Sequence, residues 1–224
     1  MSLSEVLVAS DYDRTLSEEK DNFFISERVK KRINDFSRRH FFVVVTGRER
    51  RFIERLAYGL CPTAWVLENG ALLLLNGKVI YNVPRGWPTT RYEVGKRLER
   101  NGIEFTYGEV IIYVNNSPKA VEEMLSDLEV KVEWNRNDAM VLPRGVNKGT
   151  GILKLAKIMG FKGKIVGVGD SQNDISLFEV ADFKVAVNNA LEEIKRIADL
   201  VLSKPDGEGV IELLDMIEEG RLFL

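Results

Sequence analysis

Cysteine is almost absent from this 224-residue chain: Cys61 stands alone, so no internal disulfide can form and no thiolate pair can hold a metal. A reducing interior is the natural setting. Cys61 lacks the neighbours of a thiolate nucleophile and is expected to be a small core residue. Histidine is as scarce, with His40 following Arg38 and Arg39 at an expected helix end, where it suits the helix dipole and has no catalytic part. Glutamine occurs only at Gln172, while charged residues make up 29% of the chain, a usage that leans toward a thermophilic source. No apolar run approaches the roughly 18 residues of a membrane span or signal core, and a soluble, cytoplasmic protein is expected. Neither sign of charge dominates. With 32 Lys+Arg against 34 Asp+Glu, the formal charge of -2 argues against nucleic-acid binding.

The chain does have length enough for a large core, and short buried strands to build it. Val6 to Ala9 is a continuous apolar run ending at Asp11, and Phe41 to Val45 is a second ending at Thr46-Gly47. Between them, Val29, Ile33 and Phe36 keep helical spacing behind a Ser26 cap, which makes a βαβ unit. A helix over 49–58, a strand over 65–67 and a hairpin turning at Asn76-Gly77 follow. Pro84, Gly86 and Pro88 then mark a boundary. Beyond it Val130, Val132 and Trp134 alternate with Lys131, Glu133 and Asn135, as in an antiparallel strand with one wet face. With helices near 92–100 and 118–128 and strands near 104–114 and 139–142, residues 82–146 read as an inserted α+β unit, whose exposed face could mediate a homodimer. The buried-strand rhythm returns at 164–168 and 184–187, so the expected core is residues 1–81 and 147–224, split by the insert. The expected class is α/β, a Rossmann-like parallel sheet.

Chemistry concentrates at strand exits, where open α/β sheets keep their sites. Asp11-Tyr12-Asp13-Arg14-Thr15 sets two carboxylates two residues apart on a turn, an arrangement tolerable mainly when a cation or shared proton intervenes. Chance supplies such a trio of fixed residues about 3 times in 100 chains of this length, so company matters. Gly167-Val168-Gly169-Asp170-Ser171-Gln172-Asn173-Asp174 ends another strand with two more acids. Oxygen donors without histidine or cysteine select a hard cation, and Mg2+ is the expected metal. Asn173 or Asp174 would also serve as an ordinary helix cap. The run lacks the third glycine of a dinucleotide fingerprint, since Gln172 stands there. Thr46 and Gly47 offer a hydroxyl and backbone N–H groups to phosphoryl oxygens, and Lys148 opens a helix behind an Asn147 cap, where anions are attracted.

In the order Asp, Thr, Lys, Asp, these clusters resemble the four motifs of the haloacid dehalogenase-like (HAD) phosphatase superfamily: Asp11 to Thr15, Thr46-Gly47, Lys148, and Gly169 to Asp174. The insert between the second and third is similar to the large α+β cap of one branch, and Glu68-Asn69-Gly70-Ala71 resembles a loop of that branch. Asn147 to Gly151, Gly169 to Ala190 and Asp206-Gly207-Glu208-Gly209-Val210 look most like the archaeal phosphoglycolate phosphatases. Arg14 departs from the pattern, standing where the family most often has glycine.

The resemblance implies a HAD core with a substrate-selecting cap over 82–146, and a Mg2+-dependent phosphomonoester hydrolase working through a phospho-aspartyl enzyme. Asp11 would be the nucleophile and Asp13 the acid and base; Asp11, the Asp13 carbonyl, Asp170 and Asp174 would hold the metal. Thr46, Gly47, Lys148, Asn69 and Asn173 would bind phosphate or substrate, and Arg85, Arg91, Arg136 and Arg144 are candidates for a substrate carboxylate. The partner would be a small phosphorylated metabolite, 2-phosphoglycolate first, then a sugar phosphate or phosphoglycerate derivative. A phosphotransferase or phosphomutase is the rival enzyme, and a silent phosphate-binding module the rival from another class.

Overall fold

The computed structural model describes residues 6–135 and 137–222. Six parallel strands and an antiparallel hairpin make one sheet. Along the chain these are β1 (Val6–Asp11), β2 (Phe41–Val45), β3 (Ala64–Leu67), the hairpin β4 (Leu72–Leu75) and β5 (Lys78–Tyr81), then β10 (Lys164–Gly169), β11 (Phe183–Ala186) and β12 (Leu200–Val201). Their spatial order is β12-β11-β10-β1-β2-β3-β4-β5. The chain moves outward from β1 in one direction and from β10 in the other, so β1 and β10 meet at the reversal point where such sheets open a crevice. Asp11 and Gly169 end these two strands.

Alternate residues of β1 supply both faces. Val8 joins a core with Val29, Ile33 and Phe36 of α1 (Glu27–Phe36) and with Val210 and Leu214 of α8 (Asp206–Glu218). Leu7 and Ala9 pack on the other side with Ile152 and Leu155 of α5 (Lys148–Met159) and Leu177 of α6 (Ile175–Phe178). The result is three layers, helix–sheet–helix. Ser26 caps α1, its Oγ accepting the Val29 N–H. The Asn76-Gly77 turn has both residues at positive φ, 50° and 72°, as a two-residue hairpin of this twist requires.

A second sheet, of β6 (Thr106–Tyr107), β7 (Ile112–Val114), β8 (Val130–Asn135) and β9 (Asp138–Pro143), is antiparallel in the order β6-β7-β9-β8. Ile112, Val114, Ala139 and Val141 bury against Val94 and Leu98 of α3 (Trp87–Arg100) and Val121 of α4 (Ala120–Met124). The strand period of two turns a row of Tyr113, Met140 and Glu133, paired across the strands, toward the first sheet. There Tyr113 Oη donates to the Gly47 carbonyl at 2.7 Å, and Glu133 Oε2 accepts from Asn69 Nδ2 at 2.9 Å. Glu133 is therefore buried at 8% exposure rather than on a wet face, because that face meets the other sheet.

Three other expectations change. Pro88 lies in the first turn of α3, where its missing N–H is harmless, so this helix starts at Trp87 rather than near Tyr92. The helix expected over 118–128 is only Ala120–Met124. Cys61 is exposed, not core: it sits on a loop whose backbone N–H is held by Asn34 Oδ1 at 2.7 Å. Among the described residues no helix is long and apolar enough to cross a membrane.

One contact ties the two sheets firmly. Glu68 and Asn69 both adopt positive φ, 48° and 51°, a strained pair that aims the fully buried Glu68 carboxylate into the insert. It accepts the N–H groups of Glu109, Val110 and Ile111 at 2.9, 2.9 and 2.7 Å. Gly108 permits the approach, since a Cβ there would sit 2.7 Å from Glu68 Oε2. Burial pushes the Glu68 carboxyl above its usual range, and the three N–H groups pull the other way. Glu68→Ala leaves these donors unpaired and is expected to cost about 2–3 kcal/mol, read as a lower urea midpoint at unchanged slope.

Candidate active site

At the mouth of the β1/β10 crevice three buried carboxylates converge: Asp11, Asp170 and Asp174 each present an oxygen within 4.8 Å of the others. Lys148 reaches between two of them, its Nζ 2.6 Å from Asp11 Oδ1 and 2.7 Å from Asp174 Oδ1, with no part of the side chain exposed. Gly149 makes this reach possible. A Cβ there would fall 2.0 Å from the Ser176 carbonyl oxygen, so only glycine lets α5 lie against α6 at this point. Asn147 fixes the start of α5 by accepting the Thr150 N–H while Thr150 Oγ1 accepts the Asn147 N–H.

Three acids against Lys148 and, at Asp170, Arg14 leave the cluster short of positive charge. Burial, then repulsion from Asp174, Asp170 and Asp13, holds the Asp11 carboxyl well above the usual carboxylate range, with Lys148 opposing. Asp170 is raised by the same burial and by Asp174. Burial disfavours the Lys148 ammonium, but Asp11 and Asp174 outweigh it and keep the amine above its ordinary value. An all-oxygen, electron-rich pocket of this kind fits a hard divalent cation. Asp174 also caps its own loop, its Oδ2 accepting the Asp170 and Ser171 N–H groups at 3.0 and 3.2 Å, so capping and candidate ligation coexist.

Arg14 has φ 58°, the left-handed backbone that glycine adopts without penalty. Its side chain goes to the acids, with Nε 3.1 Å from Asp170 Oδ2, and the Arg14 carbonyl accepts from Asn189 Nδ2 at 2.8 Å. Asn189 in turn accepts the Asp206 N–H and donates to Asp206 Oδ1, so the Asn189 and Asp206 segments brace the turn after Asp11. The Asp206 carboxyl is pushed up to about 6 by burial and by Glu18. A raised folded value means stability that is present below the unfolded value and lost as pH rises through about 6. Asp206→Asn keeps the acceptor and tolerates the positive φ; it should raise the melting temperature above about pH 7 and change it little near pH 4.

Above the acids opens a cleft of about 520 Å³, lined from the first sheet by Asp11, Asp13, Arg14, Gly47, Arg48 and Arg51, and from the insert by Tyr113, Asn115, Asp138 and Met140, among others. Asn173 and Ser171 complete its floor, Ser171 Oγ donating to Asn173 Oδ1 at 2.9 Å. Other expected ligands lie behind the lining. Thr46 is fully buried, its Oγ1 accepting the Arg48 N–H at 3.1 Å, and Asn69 is fully buried with its amide turned to Glu133 and Met140 of the insert.

Of the four arginines expected to read a carboxylate, the three described ones lie outside the cleft lining. Arg85 is exposed, Arg144 reaches Glu129 and the Leu128 carbonyl, and Arg91 donates to the Gly108 carbonyl and stacks on Tyr107; Arg136 lies outside the described residues. Arg48 and Arg51 line the cleft instead of those three. Arg48 directly follows Thr46-Gly47 in the chain, but only the fold reveals its partner, Asp13. His40 stacks on Phe36 at 4.6 Å between ring centroids, beside Glu218 and outside the cleft lining.

Known proteins match the chain over most of its length. The model of the haloacid dehalogenase-like hydrolases matches residues 8–123 and 96–214. A Saccharolobus solfataricus protein named phosphoglycolate phosphatase 2 is 50% identical over 221 residues, 97% of this chain and 94% of that one. A Sulfurisphaera tokodaii phosphoglycolate phosphatase is 50% identical over 218 residues, 97% of this chain and 96% of that one. A solved haloacid dehalogenase-like hydrolase from B. subtilis superposes with a TM-score of 0.79 at 21% identity, covering 93% of this chain and 98% of that one.

Proposed function

This chain belongs to the haloacid dehalogenase-like hydrolases and is a phosphatase, and we propose that it hydrolyses 2-phosphoglycolate through a phospho-aspartyl enzyme supported by Mg2+. The observation that carries the reading is the position of Asp11: at the end of the central strand, among buried acids, and open to a cleft that also holds Asp13 and three arginines. We assign the core to residues 1–81 and 147–224 and the cap to 82–146.

Asp11, Asp170 and Asp174, with the Asp13 carbonyl, would hold Mg2+, which when bound offsets the negative charge of nucleophile and phosphoryl group. In the first half-reaction the Asp11 oxygen not engaged by Lys148 attacks phosphorus. The bond to the ester oxygen breaks, and Asp13 gives that oxygen its proton. In the second, a water attacks the aspartyl phosphate, Asp13 takes the water's proton, and phosphate leaves with Asp11 restored. Lys148 keeps a positive charge against Asp11 throughout, and the Gly47 and Asn173 side of the cleft receives phosphoryl oxygens. The cap row of Tyr113 and Met140 closes over the reacting groups and limits water.

Glycolate as leaving group is favoured by the cations around the cleft and by the names of the two relatives that are 50% identical. A panel of phosphomonoesters assayed with Mg2+ and with EDTA tests this. The expected result is highest kcat/KM for 2-phosphoglycolate and loss of turnover with EDTA; a sugar phosphate ranked above it by tenfold would overturn the substrate, and phosphate transfer to an added sugar in place of release would overturn the reaction class.

A further inference from the structure

Among the described residues, Asp13 presents its carboxylate to one guanidinium, that of Arg48. Arg48 Nε lies 2.8 Å from Oδ1 and 2.9 Å from Oδ2, and Nη2 lies 2.7 Å from Oδ1, so both carboxylate oxygens are taken. The guanidinium also stacks over the Phe23 ring at 4.8 Å from its centroid, and a quarter or so of each side chain remains exposed to the cleft, 27% for Arg48 and 26% for Asp13. The backbone beneath is fixed. Arg48 N–H donates to Thr46 Oγ1 at 3.1 Å and its carbonyl accepts the Glu68 N–H at 3.2 Å, so any movement belongs to the side chain.

The reaction proposed above needs an Asp13 oxygen at the leaving oxygen of the substrate. In the arrangement seen, Arg48 holds both. When Asp13 turns to the ester oxygen, the guanidinium loses its fork-shaped partner in a partly enclosed place, which is costly unless another planar anion takes over. A leaving group with a carboxylate one carbon from the ester oxygen supplies that anion beside the position Asp13 must reach. Arg51 is differently placed: Glu49 holds it at 2.9 Å and it stacks on Phe52, so its charge already has a partner that the reaction does not require to move.

We infer that Arg48 is the specificity-determining residue, exchanging its bidentate contact from Asp13 to the carboxylate of the leaving group and thereby freeing Asp13 for that substrate. The inference rests on the 2-phosphoglycolate reading and deepens it. Selection then appears in kcat as well as KM, because a substrate without the carboxylate leaves Asp13 held.

The test compares 2-phosphoglycolate with 2-hydroxyethyl phosphate, which replaces the carboxylate by an alcohol, for the Mg2+-loaded wild type and three variants. Arg48→Met keeps the aliphatic stem over Phe23 without the fork. It should lower kcat/KM on 2-phosphoglycolate on the order of 100-fold and raise kcat on 2-hydroxyethyl phosphate, since Asp13 is released. Arg48→Lys should recover part of the affinity for the acid but little of the discrimination, because one ammonium cannot replace the fork. Arg51→Met should leave the ratio of the two substrates within about threefold. Equal losses on both substrates with Arg48→Met, or a ratio that follows Arg51, would overturn the exchange while leaving the substrate reading intact. A wild type that does not prefer the acid would overturn both. Melting temperatures within a few degrees of wild type establish that each variant is folded.

Discussion

Asp11→Asn is expected to reduce turnover at least about 10⁴-fold while the protein folds normally, because an amide oxygen cannot form the acyl phosphate on which the proposed route depends. The stability change should run the other way. Burial and Asp174 raise the Asp11 carboxyl, so the stability associated with its proton is lost as pH rises through the folded value, and at neutral pH an uncharged side chain removes that penalty. Without divalent cation the variant should therefore melt at or above the wild-type temperature near pH 7, with the difference closing as pH falls. Added Mg2+ should reverse the order, because the wild type keeps all three carboxylates and gains more from binding. Paired melts in EDTA and in Mg2+, beside single-turnover kinetics, measure all of this. A near-normal rate in Asp11→Asn would sink the nucleophile assignment.

The acids were legible because each follows an unbroken apolar run: Val6 to Ala9 can only be a doubly buried strand, and its exit faces a crevice in any sheet that reverses there. Lys148 was weaker, a lone lysine after a capping asparagine. Its complete burial depends on Gly149 resting against the Ser176 carbonyl, a contact between helices remote in the chain. Glu133 looked wet because alternation distinguishes two faces of a strand but not which face meets a second sheet. The arginines that line the cleft went unrecognised for a related reason. Charge marks many exposed positions in a chain with 32 basic residues, and only the cleft separates Arg48 and Arg51 from Arg85 and Arg144. The glycine that the resemblance leads one to expect at position 14 suits the φ of 58° found there, whereas the use of the arginine, a contact to Asp170, required the fold.

Lys148→Met tests whether the buried cation is what allows the acids to coexist. The substitution is close in volume, so packing changes little, but it leaves Asp11 and Asp174 with no ammonium at 2.6 and 2.7 Å. Removing one partner of a buried ionic cluster typically costs about 3–5 kcal/mol, which for a chain of this size lowers the melting temperature by on the order of 10 °C in the absence of divalent cation. Turnover should fall on the order of 100- to 1000-fold, the usual loss when a fixed charge facing the reacting group is removed. Mg2+ brings positive charge to the same oxygens, so raising its concentration should restore melting temperature more steeply in Lys148→Met than in the wild type. The double variant Asp11→Asn with Lys148→Met adds an internal check: taking away one of the two carboxylates that the lysine serves should recover part of the lost stability, a coupling of about 1 kcal/mol or more. If Lys148→Met melts within about 2 °C of wild type and the two substitutions are additive, the lysine is not the counter-charge of the cluster, and the electrostatic account of the site fails.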